Sequence, residues 1–478
     1  MSITVKFSKK ENGFPRVKFV FKEDLKRGRI NGFDTGKIFK GSEFKGDLFQ
    51  FFPLRISEER TYFLLMGGGE RAKFNGDSAF KAGSFLTIKL KELGFRNVEL
   101  MVDFLERDEK LVLEFFSGIF YGDYENDFFK SQKKENNLTV YIASSSHDKV
   151  FRKLIDVSRK IGVNVNLCRE FVDLPANHIN PITFVDRVKK LLKGSDVKVD
   201  LLRLKEIEKY NLNLIKAVSG GSFVEPRLLI LEYKNSKDRP IAFIGKGVTF
   251  DSGGLNLKPT AHIEDMKTDM AGGAVVFSLI KLLSELKVKA NVIGIIPLVE
   301  NLPGNQATKP GDVFISHSGK SVEILNTDAE GRLILADGIG FSKRFNPSMI
   351  VSIATLTGSA VVALGTLRCA IFSKNEDVID IFKRVGDEIG EKLWPLPMDD
   401  EYGEELKSDI ADIKNIGSSR FGGAILGAKF LENFSEDTPF VHLDIAGVSD
   451  LKSKKPYAPK GGTGFGVRLL YNFMREYK

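Results

Sequence analysis

The sequence contains little cysteine and no long apolar run, and both scarcities exclude classes of protein. Its 478 residues include two cysteines, Cys168 and Cys369, which form no CxxC pair. This usage argues against a disulfide framework and is typical of reduced, buried thiols in a cytoplasmic protein. No apolar run approaches the ~20 residues of a membrane span, and the first residues do not resemble a signal peptide. We therefore expect a cytoplasmic globular protein.

Several catalytic signatures are also missing. The sequence has no HExxH zinc motif, and the lack of a GxSxG elbow disfavours a serine hydrolase. The five histidines are scattered without a metal-ligand pair, so each is expected to be structural or exposed; they lie at positions 147, 178, 262, 317 and 442. The stretch at 61–69 predicts a buried strand that runs into a glycine turn, and we interpret the glycines at 461–466 as backbone geometry at the start of the last helix. Neither stretch has a complete nucleotide-binding motif.

The net charge of +8 is spread along the chain. Residues 1–150 carry 26 Lys and Arg against 22 Asp and Glu, and the rest carries 45 against 41, which leaves +4 in each part. The locally basic stretch is short and contains Lys22, Lys26, Arg27 and Arg29. A solvated face explains this excess better than a phosphate-binding patch, so nucleic acid is not an expected partner.

Length and pattern predict two domains. Residues 1–145 alternate short apolar runs with glycine and polar clusters, as a smaller α/β domain does. Residues 146–174 repeat apolar side chains at spacings of three and four, which predicts one long linking helix, capped by Ser146 and stopped by Pro175. Residues 175–478 predict a larger α/β sandwich with a mixed central sheet and helices on both faces.

Apolar segments of that second domain predict its elements. Strands are expected at 227–233, 241–248, 291–298, 349–356 and 440–445, and helices at 271–287 and near 467–477.

Four acidic residues occur where the predicted sheet strands end. The segment GKGVTFDSGG leads a buried strand into Lys246 and Asp251, and Asp269 comes just before a helix. Asp328 and Glu330 lie two apart in an apolar setting. On an extended backbone such residues share a face, so their carboxylates are expected to converge.

Buried carboxylates repel each other and lose hydration, so they need a cation or a proton. The four carboxylates carry −4, which two divalent cations would balance in a two-metal cluster. Oxygen ligands suit Mg, Mn, Co or Zn and require no histidine. The alternative, that carboxylates cap helices and pair with lysines, fits any one of them better than all four together.

Six segments resemble motifs of the leucine aminopeptidase family, also called the cytosol aminopeptidases. They are GKGVTFDSGG, DMKTDM at 265–270, PGDV at 310–313, NTDAEGRL at 326–333, ATLTG at 354–358 and HLDIAG at 442–447. The resemblance extends from about residue 173 to the C-terminus. It implies a homohexameric metallopeptidase that removes residues from the free amino end of peptides. Residues 1–145 would then serve assembly or regulation, and 175–478 would be catalytic.

The resemblance also implies the metal ligands. One metal, Mn, Zn or Co, would be held by Asp251, Asp328 and Glu330. The second would be held by Lys246, Asp251, Asp269 and Glu330. Only the neutral amine of Lys246 coordinates, and deprotonating a lysine of pKa ~10.4 at pH 7 costs roughly 4.6 kcal/mol, which the metal bond must offset.

It further implies how the reaction proceeds. A water that bridges both metals would attack as hydroxide, with the substrate amine at one metal and Asp269. Lys258 would stabilise the oxyanion, and Arg332 would hold a bicarbonate ion as the base. The pocket for the first residue, suited to Leu or Met, would be lined by Met266, Thr355, Leu356, Gly358, Ala446 and Ser449. Position 449 is serine here, where relatives often carry methionine.

Two other interpretations remain open. A DNA-binding or scaffolding protein could keep the aminopeptidase fold, and a two-metal phosphoesterase could share the acidic cluster. The first is disfavoured because no expected ligand is lost, and the second because it gives no role to ATLTG and Met266. Peptide hydrolysis is the preferred interpretation.

Overall fold

The computed structural model describes residues 2–8, 13–30, 33–39, 41–56, 61–105, 108–132, 136–143 and 148–477. The chain divides into two compact units: the first is Met1–Asn166, Glu388–Gly390 and Ser453–Lys460, and the second is Leu167–Asp387, Glu391–Lys452 and Gly461–Lys478. The division falls inside one helix, Asp148–Asp173. Ser146, its predicted cap, lies outside the described residues. No described helix is long and apolar enough to cross a membrane.

The elements of unit one precede or begin that helix. They are β1 (Ile3–Ser8), β2 (Arg16–Phe21), α1 (Lys22–Lys26), β3 (Arg29–Ile30), β4 (Phe33–Asp34), α2 (Thr35–Ile38), β5 (Phe51–Ile56), β6 (Thr61–Gly69), α3 (Gly76–Glu92), β7 (Asn97–Leu100), α4 (Glu109–Tyr121), β8 (Leu138–Ala143) and the first part of α5 (Asp148–Asp173). Six strands form a sheet in the order β1-β8-β7-β2-β6-β5, parallel except for β5.

The predicted strand at 61–69 is confirmed as β6, but the glycines at its end belong to the strand and do not form the predicted turn. A Cβ on Gly67 would lie 2.0 Å from Asp47 O, and one on Gly68 would lie 2.6 Å from the Phe21 ring. Glycine is required because neighbouring atoms approach the strand too closely for a side chain.

Unit two contains the remaining elements. They are α6 (Pro181–Leu191), β9 (Val197–Leu202), α7 (Leu204–Lys209), α8 (Asn213–Ser219), β10 (Arg227–Lys234), β11 (Ile241–Gly245), β12 (Gly247–Asp251), α9 (Thr260–Ile263), α10 (Ala271–Glu285), β13 (Asn291–Asn301), β14 (Asp312–Ile315), β15 (Ser321–Ile324), α11 (Glu330–Ser342), β16 (Met349–Ala354), α12 (Gly358–Leu364), β17 (Cys369–Ser373), α13 (Glu376–Ile389), β18 (Leu393–Pro395), β19 (Ile413–Lys414), α14 (Gly423–Glu432), β20 (Phe440–Asp444), β21 (Asp450–Leu451), β22 (Gly461–Gly462) and α15 (Val467–Glu476).

Nine strands of unit two form the predicted mixed sheet. The order is β18-β17-β20-β16-β11-β13-β10-β9, and β12 pairs with β13. Successive residues of β13 contact different helices: a Cβ on Gly294 would meet Val276 and Ile280 of α10, whereas Ile295 lies near Gly338 of α11. Because side chains alternate along a strand, the two helices cover opposite faces of the sheet.

The predicted strand at 241–248 is two strands, divided at Lys246. β11 lies between β13 and β16, whereas β12 pairs with β13. A Cβ on Gly245 would lie 2.5 Å from Gly272 O, so α10 packs directly against the break. Lys246 N then donates to Ile353 O at 3.0 Å, and Lys246 O accepts from Gly273 N at 2.8 Å. The division places Lys246 at the carboxyl end of β11.

Candidate metal centre

The four predicted acidic ligands lie at the carboxyl edge of the parallel strands. Asp251 ends β12, Asp269 lies two residues before α10, Asp328 lies in a turn, and Glu330 begins α11. Asp251, Asp269 and Glu330 are buried, and Asp328 is half-buried. One carboxylate oxygen from each of Asp251, Asp328 and Glu330 lies within 4.8 Å of the other two. Three carboxylates at such distances form a possible cation site.

Asp328 and Glu330 converge for a different reason from the one predicted. Neither residue lies in a strand, because β15 ends at Ile324. Asn326 Oδ1 accepts from Asp328 N at 2.8 Å and forms a turn, after which Glu330 is the first helical residue. The turn and the helix start bring the carboxylates together, and the helix N-terminus favours the negative charge of Glu330.

Lys246 lies between two of the carboxylates. Its Nζ is 2.7 Å from Asp269 Oδ1 and 2.8 Å from Glu330 Oε1, and it donates to Thr355 O at 3.0 Å. Burial opposes the ammonium form, but Asp269 and then Glu330 outweigh burial and raise the pKa of Lys246. The side chain is therefore positioned as a direct neighbour of both acids.

Lys258 pairs with the other two carboxylates. Its Nζ lies 2.8 Å from Asp251 Oδ2 and 2.5 Å from Asp328 Oδ1. Burial opposes its charge, but Asp251 and Glu330 outweigh burial and raise its pKa. Each of the two lysines thus joins acidic residues from different segments of the chain.

The site still has more negative than positive charge. Four carboxylates face two ammonium groups, and burial, followed by repulsion from Glu330, raises the pKa of Asp251. Burial also raises the pKa of Asp269 well above its usual range. Asp269 Oδ2 and Asp328 Oδ1 are buried without a hydrogen-bond partner in the described part of the chain, although the latter is in ion-pair contact with Lys258. Oxygen donors with unused capacity and excess negative charge fit divalent cations.

Arg332, on α11, is buried beside the acidic cluster. Its Nη1 donates to Asn415 O at 2.6 Å. No carboxylate lies within ion-pair distance of its guanidinium in the described ranges of the chain. Burial lowers its pKa to about 10, which leaves it charged at neutral pH. A buried guanidinium without a carboxylate is suited to a small anion.

The predicted pocket residues lie on three loops of the same sheet edge. Asp444 joins two of these loops, because its Oδ1 accepts from Leu356 N and Ala446 N, each at 3.1 Å. Thr355 Oγ1 donates to Asp269 Oδ1 at 2.7 Å, and Asp269 follows the 3-10 turn that contains Met266. Gly358 begins α12, two residues after Leu356. Ser449 is buried, and its backbone N–H donates to Ile445 O at 3.0 Å.

Several residues that organise this edge have no role in the predictions from sequence. Asp444 is buried, and its Oδ2 also accepts from Thr357 Oγ1 at 2.7 Å. Burial raises its pKa to about 6. Asn415 Oδ1 accepts from Leu325 N at 2.9 Å, and Asn301 contacts Asp251. Asp444 could have been identified from the sequence, because it lies in the HLDIAG segment. No local pattern distinguishes Asn301 or Asn415 from other asparagines.

The four histidines that the structure describes take no part in the acidic cluster. His178 and His262 are exposed, His317 is half-buried, and His442 is fully buried against Ser352. His147 lies outside the described residues. Cys168 and Cys369 are buried and unpaired, as the sequence predicts.

Comparison with known proteins identifies the family. Residues 166–471 match the cytosol aminopeptidase family, catalytic domain. A probable cytosol aminopeptidase from Geobacter sp. (strain M21) is 42% identical over 365 residues, which cover 75% of this chain and 74% of that protein.

Two solved structures share the fold along nearly the whole chain. The bottromycin maturation enzyme BotP in complex with Mn gives a TM-score of 0.87 at 28% identity, covering 97% of this chain and 99% of that one. The cytosol aminopeptidase from Coxiella burnetii gives 0.86 at 27% identity, covering 99% of each. The chain therefore belongs to the cytosol aminopeptidase family and is a metal-dependent hydrolase of the leucyl aminopeptidase type.

Proposed function

We propose that this enzyme removes single residues from the free amino end of peptides and prefers Leu- or Met-like first residues. The observation that carries the proposal is the approach of Asp251, Asp328 and Glu330 within 4.8 Å, beside the Lys246–Asp269 pair. This combination of four acids and a lysine agrees with the ligand set that the sequence resemblance implies.

Two divalent ions, Mn, Zn or Co, fit these donors. One would be held by Asp251, Asp328 and Glu330, and the other by Lys246, Asp251, Asp269 and Glu330. When bound, the ions supply polarisation of the scissile carbonyl and activation of the attacking water. A structural relative is described in complex with Mn, which supports manganese as one candidate.

Asp269 would orient the free amine of the substrate. Its Oδ1 already accepts from Lys246 and Thr355, whereas Oδ2 is buried without a partner. A carboxylate oxygen has two lone pairs, so Oδ2 can serve a cation and an N–H donor together. Acetylation of the substrate amine would remove its positive charge and the basic lone pair with which it could bind a cation.

Lys258 would act on the transition state. Its ammonium is retained at neutral pH because Asp251 and Glu330 outweigh the cost of burial. A fixed positive charge beside the reacting carbonyl lowers the energy of the developing oxyanion more than that of the neutral substrate.

Arg332 would hold a bicarbonate ion. The planar guanidinium fork matches a planar oxyanion, and Arg332 is charged and buried without a carboxylate partner among the described residues. The bound ion would supply the general base, because all four carboxylates of the acidic cluster are assigned to the metals.

We also propose a cytoplasmic homohexamer. Residues 1–145 would form an N-terminal domain for assembly or regulation, 146–174 a linking helix and 175–478 the catalytic domain. The family name of the relatives supports the location. Light scattering of the purified chain measures the assembly; a monomeric mass at micromolar concentration would contradict the hexamer.

The deciding experiment is a panel of aminoacyl-amides assayed after chelation and after addition of Mn²⁺, Co²⁺ or Zn²⁺. We expect no activity without metal, recovery with at least one ion, and no cleavage of N-acetylated peptides. Full activity in metal-free protein would contradict the proposal. Cleavage of phosphate esters in preference to aminoacyl-amides would favour the phosphoesterase interpretation instead.

A further inference from the structure

Asn301 ends β13 beside the end of β12, and its register partner across the two strands is Asp251. Its side chain is buried, and its Nδ2 donates to Asp251 Oδ1 at 2.8 Å and to Thr327 O at 3.0 Å. One amide group therefore joins the carboxylate of Asp251 to the residue that precedes Asp328. These are the two segments that would share a metal.

The orientation of this amide follows from its partners. A carboxylate oxygen and a peptide carbonyl are both acceptors, so the NH₂ group of Asn301 must face them. The Oδ1 atom of Asn301 faces Gly254 instead, and a Cβ added to Gly254 would lie 2.8 Å from this oxygen. An aspartate of the same shape would lack both donors.

The two oxygens of Asp251 consequently have different environments. Oδ1 accepts from Gly253 N at 2.8 Å as well as from Asn301, whereas Oδ2 faces Lys258 Nζ at 2.8 Å. Two donors on Oδ1 fix the rotation of the carboxylate, and Oδ2 is directed into the acidic cluster.

We propose that Asn301 is a positioning residue for metal binding, which acts by fixing the Asp251 carboxylate and tying it to Thr327. The inference rests on the proposed metal-dependent function. Residues that hydrogen-bond to metal ligands contribute roughly 10- to 100-fold to metal affinity, and we expect Asn301 to fall in that range.

The test compares Asn301→Leu with Asn301→Ala in the full chain. Leucine removes both donors and excludes water, whereas alanine leaves space for a water that can donate to Asp251 Oδ1. We therefore expect Zn²⁺ affinity, measured by competition with a chromogenic chelator, to fall about 10- to 100-fold for leucine and less for alanine. If Asn301 only filled space, the alanine variant would be the more damaged of the two. It would have the lower unfolding midpoint without metal, because alanine leaves the larger cavity.

Ser252→Ala is the matched control. Ser252 directly follows Asp251, and its Oγ donates to the backbone oxygen of Asn301 at 2.7 Å. It does not donate to the Asp251 carboxylate. Its Zn²⁺ affinity should stay within about threefold of wild type, since the ligand keeps both donors. If wild type bound no Zn²⁺, the proposed function itself would fail. If wild type bound Zn²⁺ and both Asn301 variants matched Ser252→Ala, only the role of Asn301 would be overturned. Should the leucine variant not fold, the alanine variant against this control decides in the same way.

Discussion

Lys246 Nζ lies 2.7 Å from Asp269 Oδ1, and both side chains are almost completely buried. Gly331 provides the space for this contact, because a Cβ there would lie 2.5 Å from Lys246 Cε and 2.7 Å from Nζ. The amine is held between Asp269 and Glu330, so an added methyl group at position 331 would push it away from these partners. The absence of a side chain at the second residue of α11 therefore allows the amine to reach both acids.

Gly331→Ala should displace the Lys246 amine and leave the helix intact, since alanine favours helical backbone. We expect a loss of about tenfold or more in both Zn²⁺ affinity and kcat/KM. Gly340→Ala on the same helix is the control. An added Cβ there would have His317 Cδ2 as its nearest neighbour, at an ordinary contact distance of 3.6 Å. Equal behaviour of the two variants in chelator competition would show that Lys246 is not confined as described.

Asp328→Asn and Glu330→Gln should each lower kcat by several orders of magnitude, because the cation site loses a charged ligand. The fold should persist, since each change removes one of several mutually repelling buried carboxylates. Circular dichroism and steady-state kinetics check both parts. Asp312→Asn, at the start of the partly exposed β14, is the comparison variant. Wild-type-like rates in either ligand variant would refute the assignment.

Lys258→Ala should lower kcat about 10²- to 10³-fold with a smaller change in KM, because its charge acts on the oxyanion. Arg332→Ala should be milder, since another base can substitute for a held bicarbonate, and added bicarbonate should partly restore its rate. The measurement is kcat and KM for Leu-amide with and without bicarbonate. Unchanged kcat in both variants would remove the proposed electrophile and anion site.

Ser449→Met should narrow the choice of first residue. Ser449 is 4% exposed. A thioether at this position would add apolar contact with the substrate and reduce the volume of the pocket for its first residue. At about 25 cal/mol per Å², tens of Å² correspond to roughly 1 kcal/mol, or several-fold in selectivity. Wild type should accept large or polar residues better than the variant does, as kcat/KM for Leu, Met, Phe and Arg substrates would show. An unchanged ranking would mean that Ser449 does not line the pocket.

His442 should make the protein sensitive to acid. It is fully buried, and burial, aided by Arg332, lowers its pKa to about 3 from an ordinary 6.5. The unfolded chain therefore gains a proton that the folded chain excludes, so stability is retained above pH 6.5 and lost as pH falls toward 3.

The comparison uses His442→Gln, which does not titrate. Urea unfolding between pH 7 and pH 4.5 should show wild type losing stability more steeply, by up to about 1.4 kcal/mol per pH unit. Parallel pH profiles for the two proteins would indicate that folding does not lower the pKa of His442.

Many strands of unit two could be predicted, because the position of a buried strand depends on residues that are neighbours in the sequence. Buried strands appear as apolar runs, so β10, β11, β13, β16 and β20 fall where the pattern places them. The acidic residues at their ends indicate a cation by their number alone. The division at Lys246 could not be predicted, because it depends on Gly272 of α10 packing against Gly245.

The residues that position the site were not evident for a related reason. Asn301 and Asn415 act through hydrogen bonds to partners 50 and 83 residues away, and an isolated asparagine resembles any loop residue. Asp328 and Glu330 show that a correct result can rest on a wrong geometry: their spacing suggested a strand, but a turn and a helix start bring them together.

The pairing of Lys246 and Lys258 with four acids has a consequence for the order of events in the cell. In a zinc finger, folding waits for the ion, because the polypeptide alone cannot organise its ligands. Here each lysine contacts acids from two separate segments, so internal counterions already hold the ligands near one another. The newly made chain can complete its tertiary structure first and acquire its ions afterwards, and its maturation is then a step of loading rather than of folding.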